Sequence, residues 1–362
     1  MTVHPTIQPR PGILDIAPYV GGASTIEGAN RSIKLSANEN PHGPSEKAIE
    51  AYRAMSGELG LYPEDHTPLF DAIARVHGLD AKRIVLGNGS DELIAMLCKA
   101  YAGEGDEVLF SAHGFLMYRL SALGASATPV TVPEQDLCLD VDAMIGALNA
   151  RTRLVFVANP NNPTGTMVGR AELERLADAL PPQALLVIDS AYAEYLRPEE
   201  DDGALELAAS RENVVTTRTF SKIYGLGALR IGWMHGPEHV CAVMHRVRGP
   251  FNVTRPALVA GLAAMADQAY VDHCRVTNEV WRDWLTKELN SVEGLSVTPS
   301  KGNFLLVHAG DRVAAFDAHL KSRGLIARLV GGYGLPEHIR ISIGDETACR
   351  LVAEAARAFP AA

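Results

Sequence analysis

The sequence predicts an α/β protein with a large, doubly wound, mostly parallel sheet domain and a smaller α+β domain. Three observations carry this. The runs "RLVFVANP" (153–160), "ALLVIDS" (184–190) and "NVVTTRTFS" (213–221) are continuously apolar or β-branched, as parallel strands covered on both faces are. Segments of that kind alternate with amphipathic helical patterns, which points to layered βα units. At 362 residues, with 47% hydrophobic and 21% charged residues, the chain exceeds the size at which a single core keeps growing.

In chain order, residues 1–32 hold several prolines and glycines and read as an extended arm. "SEKAIEAYRAM" (45–55) is helical, with Ser45 as N-cap. "RIVLG" (83–87) is a strand running into a glycine-rich turn, and "SDELIAMLCKAYA" (90–102) is a capped amphipathic helix. "DEVLFS" (106–111) is again a strand, and the three buried runs follow. After about residue 250 the texture changes. "PALVAGLAAMAD" (256–267) and "RVTNEVWRDWLTKELNS" (275–291) are helical, "GNFLLVHA" (302–309) and "HIRISIG" (338–344) are strands, and "ETACRLVAEAARAF" (346–359) closes the chain as a helix. The expected division is an arm at 1–32, a large domain at 33–252 and a small domain at 253–362.

A net charge of −10 argues against nucleic acid, whose phosphates need clustered Lys and Arg. The five cysteines are scattered, with no C-x-x-C pair, so neither a zinc site nor a disulfide framework is indicated, and no metal is expected. No apolar run reaches the roughly 20 residues of a membrane span, and the first residues lack a signal-peptide pattern. A cytoplasmic protein without a membrane partner is expected.

In sheets of this kind, ligands sit at the carboxyl ends of the strands, and the chemically distinctive residues fall there. "GNGSDE" (87–92) ends a strand and opens a helix whose first N–H groups can cradle a phosphate. "NPNNPTG" (159–165) forces a tight loop and places Asn162 at a strand end. In "DSAY" (189–192), Asp189 follows a buried run and needs a partner, which a helix N-cap role would also satisfy; Tyr192 puts a phenol nearby. In "TFSKIYGLGALR" (219–230), Lys222 stands among apolar residues and glycines. Lysine condenses with an aldehyde, while Thr219, Ser221 and Arg230 offer two hydroxyls and a guanidinium for a phosphate. With Asp189 against a protonated ring nitrogen and Asn162 and Tyr192 against a ring hydroxyl, the set describes pyridoxal 5′-phosphate. His113 reads as loop packing rather than an acid–base group, and the Trp281/Trp284 pair as core.

At this point the chain resembles the fold-type I pyridoxal-phosphate aminotransferases and, within them, the histidinol-phosphate aminotransferases. "LSANENPHGPS", "YPE", "GNGSDE", "NPNNPTG", "DSAY", "TFSKIYGLGALRIGW", "GNFLL" and "IRISIG" occur in that family's order over nearly the whole chain. The resemblance implies that Lys222 is the cofactor-bound lysine and proton carrier, and that Asp189 pairs with the pyridinium. It implies that Ser90 and Asp91 start the phosphate-binding helix and that Tyr62 reaches the cofactor of a second subunit, so that two copies share their sites. Arg340 is implied to hold a substrate carboxylate and Arg328 a substrate phosphate, with Tyr19 and Asn38 near the substrate. Phe115 takes the place of a tyrosine that stacks on the cofactor ring, and "RLV" stands where many members have "RDQ".

The implied reaction is amino transfer between L-histidinol phosphate/imidazole acetol phosphate and 2-oxoglutarate/L-glutamate. Transamination of aromatic amino acids, or decarboxylation of a phosphorylated amino acid, uses the same residues and stays open. A nicotinamide-dependent oxidoreductase lacks its third glycine here, and an effector-binding regulator lacks a helix-turn-helix or basic extension.

Overall fold

The computed structural model describes residues 7–18, 21–26, 32–63 and 65–360. Seven strands form the large sheet: β1 (Ile84–Gly87), β2 (Glu107–Ser111), β3 (Thr128–Val132), β4 (Thr152–Ala158), β5 (Leu185–Asp189), β6 (Val214–Thr219) and β7 (Gly232–His235). Their order is β1-β7-β6-β5-β4-β2-β3. β7 runs antiparallel to both neighbours, while β6, β5, β4, β2 and β3 are mutually parallel. Of the three runs expected to be buried on both faces, β5 and β6 are buried throughout and β4 is buried except at Arg153 and Ala158, which are partly exposed; β2 is buried throughout as well. Apolar clusters cover the two faces, one around Leu93, Phe110, Tyr118 and Phe156 and the other around Val155, Leu173, Leu186 and Val214.

The smaller sheet is antiparallel. Its strands β8 (Ser296–Thr298), β9 (Phe304–His308), β10 (Arg328–Leu329) and β11 (His338–Ser342) lie in the order β8-β9-β11-β10. Its core joins Leu305, Val307 and Ile341 to Phe316, Val352 and Ala356 of the covering helices, and Leu35 from the amino-terminal segment enters the same cluster. Ile33–Lys34 pairs parallel with Leu325–Ile326.

Local chemistry sets the helix starts. The Ser45 side chain accepts from the Ala48 N–H at 3.3 Å, and Asp345 caps the last helix by accepting from Ala348 at 2.8 Å. The long helix runs Gln268–Asn290, one to two turns further toward the amino terminus than periodicity suggested. Trp281 and Trp284 pack on the small-sheet cluster. The helix Arg255–Ala266 follows the expected 252/253 division, yet its Ala257, Ala260 and Ala264 join Leu69, Ile84 and Trp233 in one cluster of the large sheet's side. None of the helices formed by the described residues is long and apolar enough to cross a membrane.

Candidate active site

One cleft at the carboxyl edge of the large sheet brings together every described residue assigned from the sequence to cofactor or substrate except Tyr62. Tyr19 lies outside the described residues.

The phosphate end is made by the turn after β1 and the start of the helix α1 (Ser90–Tyr101). Gly89 has φ +83°, and a Cβ there would lie 2.7 Å from an Arg230 Nη. A Cβ on Gly232 would come within 2.5 Å of the Ser90 nitrogen. Glycine at both positions keeps the first N–H groups of α1 open to an anion, where the helix dipole also favours negative charge. Arg230 itself adopts φ +51°. Its guanidinium donates to the Asp91 carboxylate at 2.8 Å, to Ser221 Oγ at 3.3 Å and to the Gly227 carbonyl at 3.2 Å. A half-exposed cation, two hydroxyls and a helix start therefore converge on one point.

Asp189 ends β5 and is buried. Its carboxylate accepts from Tyr118 Oη at 2.8 Å and from Thr217 Oγ1 at 3.0 Å. It is not an N-cap. Burial raises its carboxyl to about 6, against the opposing pull of those two hydroxyls. Among the described residues no cation forms an ion pair with it, so the remaining lone pairs suit a cationic N–H such as a pyridinium.

Asn162 Oδ1 accepts from Arg340, which leaves the Asn162 amide N–H₂ as the donor toward the cleft. Tyr192 accepts from Asn38 Nδ2 at 3.0 Å, leaving its own O–H to donate. Both groups are thus set to donate to an anionic ring oxygen. Burial raises the Tyr192 phenol to about 12, which keeps that hydrogen in place.

Lys222 is half-buried. Its Nζ donates to the Ala37 carbonyl at 3.1 Å and lies 5.8 Å from the Tyr192 ring centre. Burial first, then the Arg340 guanidinium, lowers its ammonium to about 8. At pH 7 about one lysine in ten is then the neutral nucleophile, against about one in three thousand for an ordinary lysine. Phe115 lines the cleft just before the helix α2 (Leu116–Gly124) and meets Tyr118 edge-on at 5.9 Å.

The other wall comes from the small sheet. Arg328 and Arg340 are register partners on β10 and β11, and both line the cleft. Like charges placed directly across a ladder are unfavourable alone, so the pair suits an anionic ligand. Arg340 also donates to the Ser36 carbonyl at 2.8 Å. Asn38 takes φ +55°, and it is stitched to β11 because Ser342 Oγ accepts its N–H and donates back to its Oδ1.

Tyr62 is exposed and stacks on Phe251 at 4.6 Å, away from this chain's own cleft. Sequence reasoning missed Tyr118, Thr217, Ser36, Ser342 and Tyr333. Two of these left a trace: Thr217 stands two residues before Thr219 on the same strand face, and Tyr118 lies three residues after Phe115.

The fit is good for every part of pyridoxal phosphate, and a cleft so arranged belongs to the fold-type I pyridoxal-phosphate aminotransferases. The chain belongs to the aminotransferase class I and II family, whose pattern matches residues 30–355, and within it to the histidinol-phosphate aminotransferases. It is 55% identical to the histidinol-phosphate aminotransferase of Dinoroseobacter shibae over 98% of both chains, and 53% identical to that of a Ruegeria species, again over 98% of both. Among solved structures it is similar to the Sinorhizobium meliloti histidinol-phosphate aminotransferase in complex with pyridoxal-5′-phosphate. That similarity has a TM-score of 0.88 and 28% identity, covering 98% of each chain.

Proposed function

We propose that the chain moves an amino group between L-histidinol phosphate/imidazole acetol phosphate and 2-oxoglutarate/L-glutamate, as a step of histidine biosynthesis in the cytoplasm. The observation that carries the substrate reading is the Arg328–Arg340 pair, two cations fixed across one β-ladder on the cleft wall. Names shared with relatives at 53–55% identity support it.

When bound, the cofactor supplies an aldehyde and an electron-withdrawing ring that stabilises negative charge at the neighbouring substrate carbon. The α1 start, Thr219, Ser221 and Arg230 would hold its phosphate. Asp189, kept anionic by Tyr118 and Thr217, would hold the ring nitrogen protonated. Asn162 and Tyr192 would donate to the ring oxygen, and Phe115 would lie on the ring face. Lys222 Nζ would act as the base that takes and holds the proton from the substrate Cα. An amine with a pKa of about 8 is matched to that work near neutral pH. Arg340 holds the glutamate α-carboxylate. Arg328 holds either the histidinol phosphate phosphate group or the glutamate side-chain carboxylate.

Histidinol phosphate has no α-carboxylate, so its phosphate carries most of the charge recognition. Arg328→Ala should therefore raise its KM about ten- to a hundredfold, the worth of a charge-assisted bidentate contact, and change phenylalanine little. Arg340→Ala should hurt phenylalanine most. The measurement is kcat/KM for both substrates in both variants. Equal losses in all four cases turn the result toward an aromatic aminotransferase.

We further propose that the active form is a two-fold dimer in which Tyr62 completes the second subunit's phosphate site; its exposure and distance from its own cleft support this. Light scattering on dilute, active protein checks it, and full activity from a monomer sinks it. The division into a large cofactor domain and a smaller carboxyl-terminal domain is likewise a proposal. It is supported by separate apolar clusters, with the helix Arg255–Ala266 grouped with the former.

A further inference from the structure

His113 has no part in the chemistry described so far, yet its setting is specific. It follows β2 in the turn that leads to Phe115. Its backbone is held on both sides: the N–H donates to Glu134 Oε1 at 3.2 Å, and the carbonyl accepts from Asn161 Nδ2 at 3.4 Å. The imidazole reaches across to the other wall of the cleft, where Nδ1 lies 2.6 Å from the Tyr333 carbonyl oxygen. A carbonyl only accepts, so Nδ1 carries the hydrogen.

Tyr333 is buried, lines the cleft, and belongs to the loop that joins β10 to β11. Gly334 beside it has φ +77°, and a Cβ there would lie 3.4 Å from the imidazole Cε1. That glycine lets the loop come close to the ring. An apolar cluster reinforces the contact: Val330, Tyr333 and Leu335 of the loop, with Leu306 of β9, pack against Leu116 and Leu137 from the large sheet's side.

We propose that His113 is a positioning residue that clasps the Val330–Leu335 loop over the cleft, so that Tyr333 bounds the substrate space beside Arg328 and Arg340. His113 acts through that loop and not on the reacting atoms. The substrate class follows from the proposed function, on which this inference rests: a compact ring-bearing, phosphorylated amine enclosed between the Tyr333 loop and the two arginines. Two walls meet here, one fixed by the cofactor-stacking segment and one by the anion-binding strands. The short His113–Tyr333 hydrogen bond ties the loop itself across this junction.

The test uses cofactor-loaded, full-length protein. His113→Ala should raise KM for histidinol phosphate about three- to tenfold, the range set by one net hydrogen bond, with kcat and the cofactor absorbance unchanged. His113→Gln, whose amide can still donate, should recover much of the loss. In parallel, hydrogen exchange of the 328–337 backbone should quicken in His113→Ala and not in His113→Gln. This second readout does not depend on which substrate the enzyme uses. If the unmodified enzyme fails to turn over histidinol phosphate, the substrate reading falls and exchange alone decides the clasp. Leu335→Ala, which loosens the apolar half of the same contact, should quicken exchange in the same segment. A fall in kcat with KM unchanged, or exchange in 328–337 that ignores both His113 variants, overturns the proposal.

Discussion

Lys222→Ala is expected to bind pyridoxal phosphate and yet lose about 10²–10⁴-fold or more in turnover, the worth of a positioned general base. The cofactor's other proposed anchors lie on different elements: α1 and Arg230 at the phosphate, Asp189 at the ring. Removing the amine therefore leaves binding largely intact. Borohydride treatment of the unmodified protein should fix the cofactor on Lys222 alone, as peptide mapping would read. Label on another lysine would falsify the assignment. The pH course follows from the same group. Its folded-state pKa is lowered to about 8 by burial and by Arg340, so the neutral amine accumulates as pH rises. The rate of cofactor uptake by stripped enzyme should increase from pH 6 and level off above about pH 8. Arg340→Ala removes the larger of the two cationic causes of the shift, Arg230 being the other, and should move that midpoint upward.

Asp189→Asn should weaken cofactor retention and cut turnover by about 10²–10⁴-fold, the effect of breaking a buried charge pair by removing one partner (about 3–5 kcal/mol). The substitution preserves shape. Tyr118 and Thr217 hydroxyls can rotate to meet the new amide, so the fold should persist. The readouts are the cofactor dissociation constant and kcat. A loss below tenfold in both would mean that the carboxylate does not serve the ring nitrogen. Tyr118→Phe gives an intermediate case. It removes one hydrogen bond that holds the carboxylate anionic at pH 7, and its loss should fall between wild type and Asp189→Asn.

The chemistry was legible in the sequence where a polar residue broke an apolar pattern. Asp189 ends the run "ALLVI", and Lys222 stands alone among glycines and apolar residues, so each needed a reason to be there. Tyr118 and Thr217 were hidden because an aromatic on a buried helix and a threonine in a strand are ordinary tenants of those elements. Only the fold shows that both face the same carboxylate. The coupling of Arg328 to Arg340 was equally hidden: cross-strand register is a property of pairing and not of local composition. The division at residue 252 followed a change in texture. Yet the alanine-rich helix Arg255–Ala266 packs with Leu69, Ile84 and Trp233. Its face was readable, its neighbour was not.

Because Arg328 and Arg340 sit opposite each other in an antiparallel ladder, the spacing of their Cα atoms is set by backbone geometry and not by a flexible segment. With the roles proposed for them, the two cations would act as a gauge anchored on the backbone for a doubly charged molecule. A one-residue slip would carry a guanidinium to the opposite face of the sheet, so the gauge cannot drift by degrees. The turn between the two strands is held by other means, the His113–Tyr333 hydrogen bond and the packing of Val330, Tyr333 and Leu335. A change in that turn would therefore alter the cover of the cleft, while the register of the two strands below it stays the same.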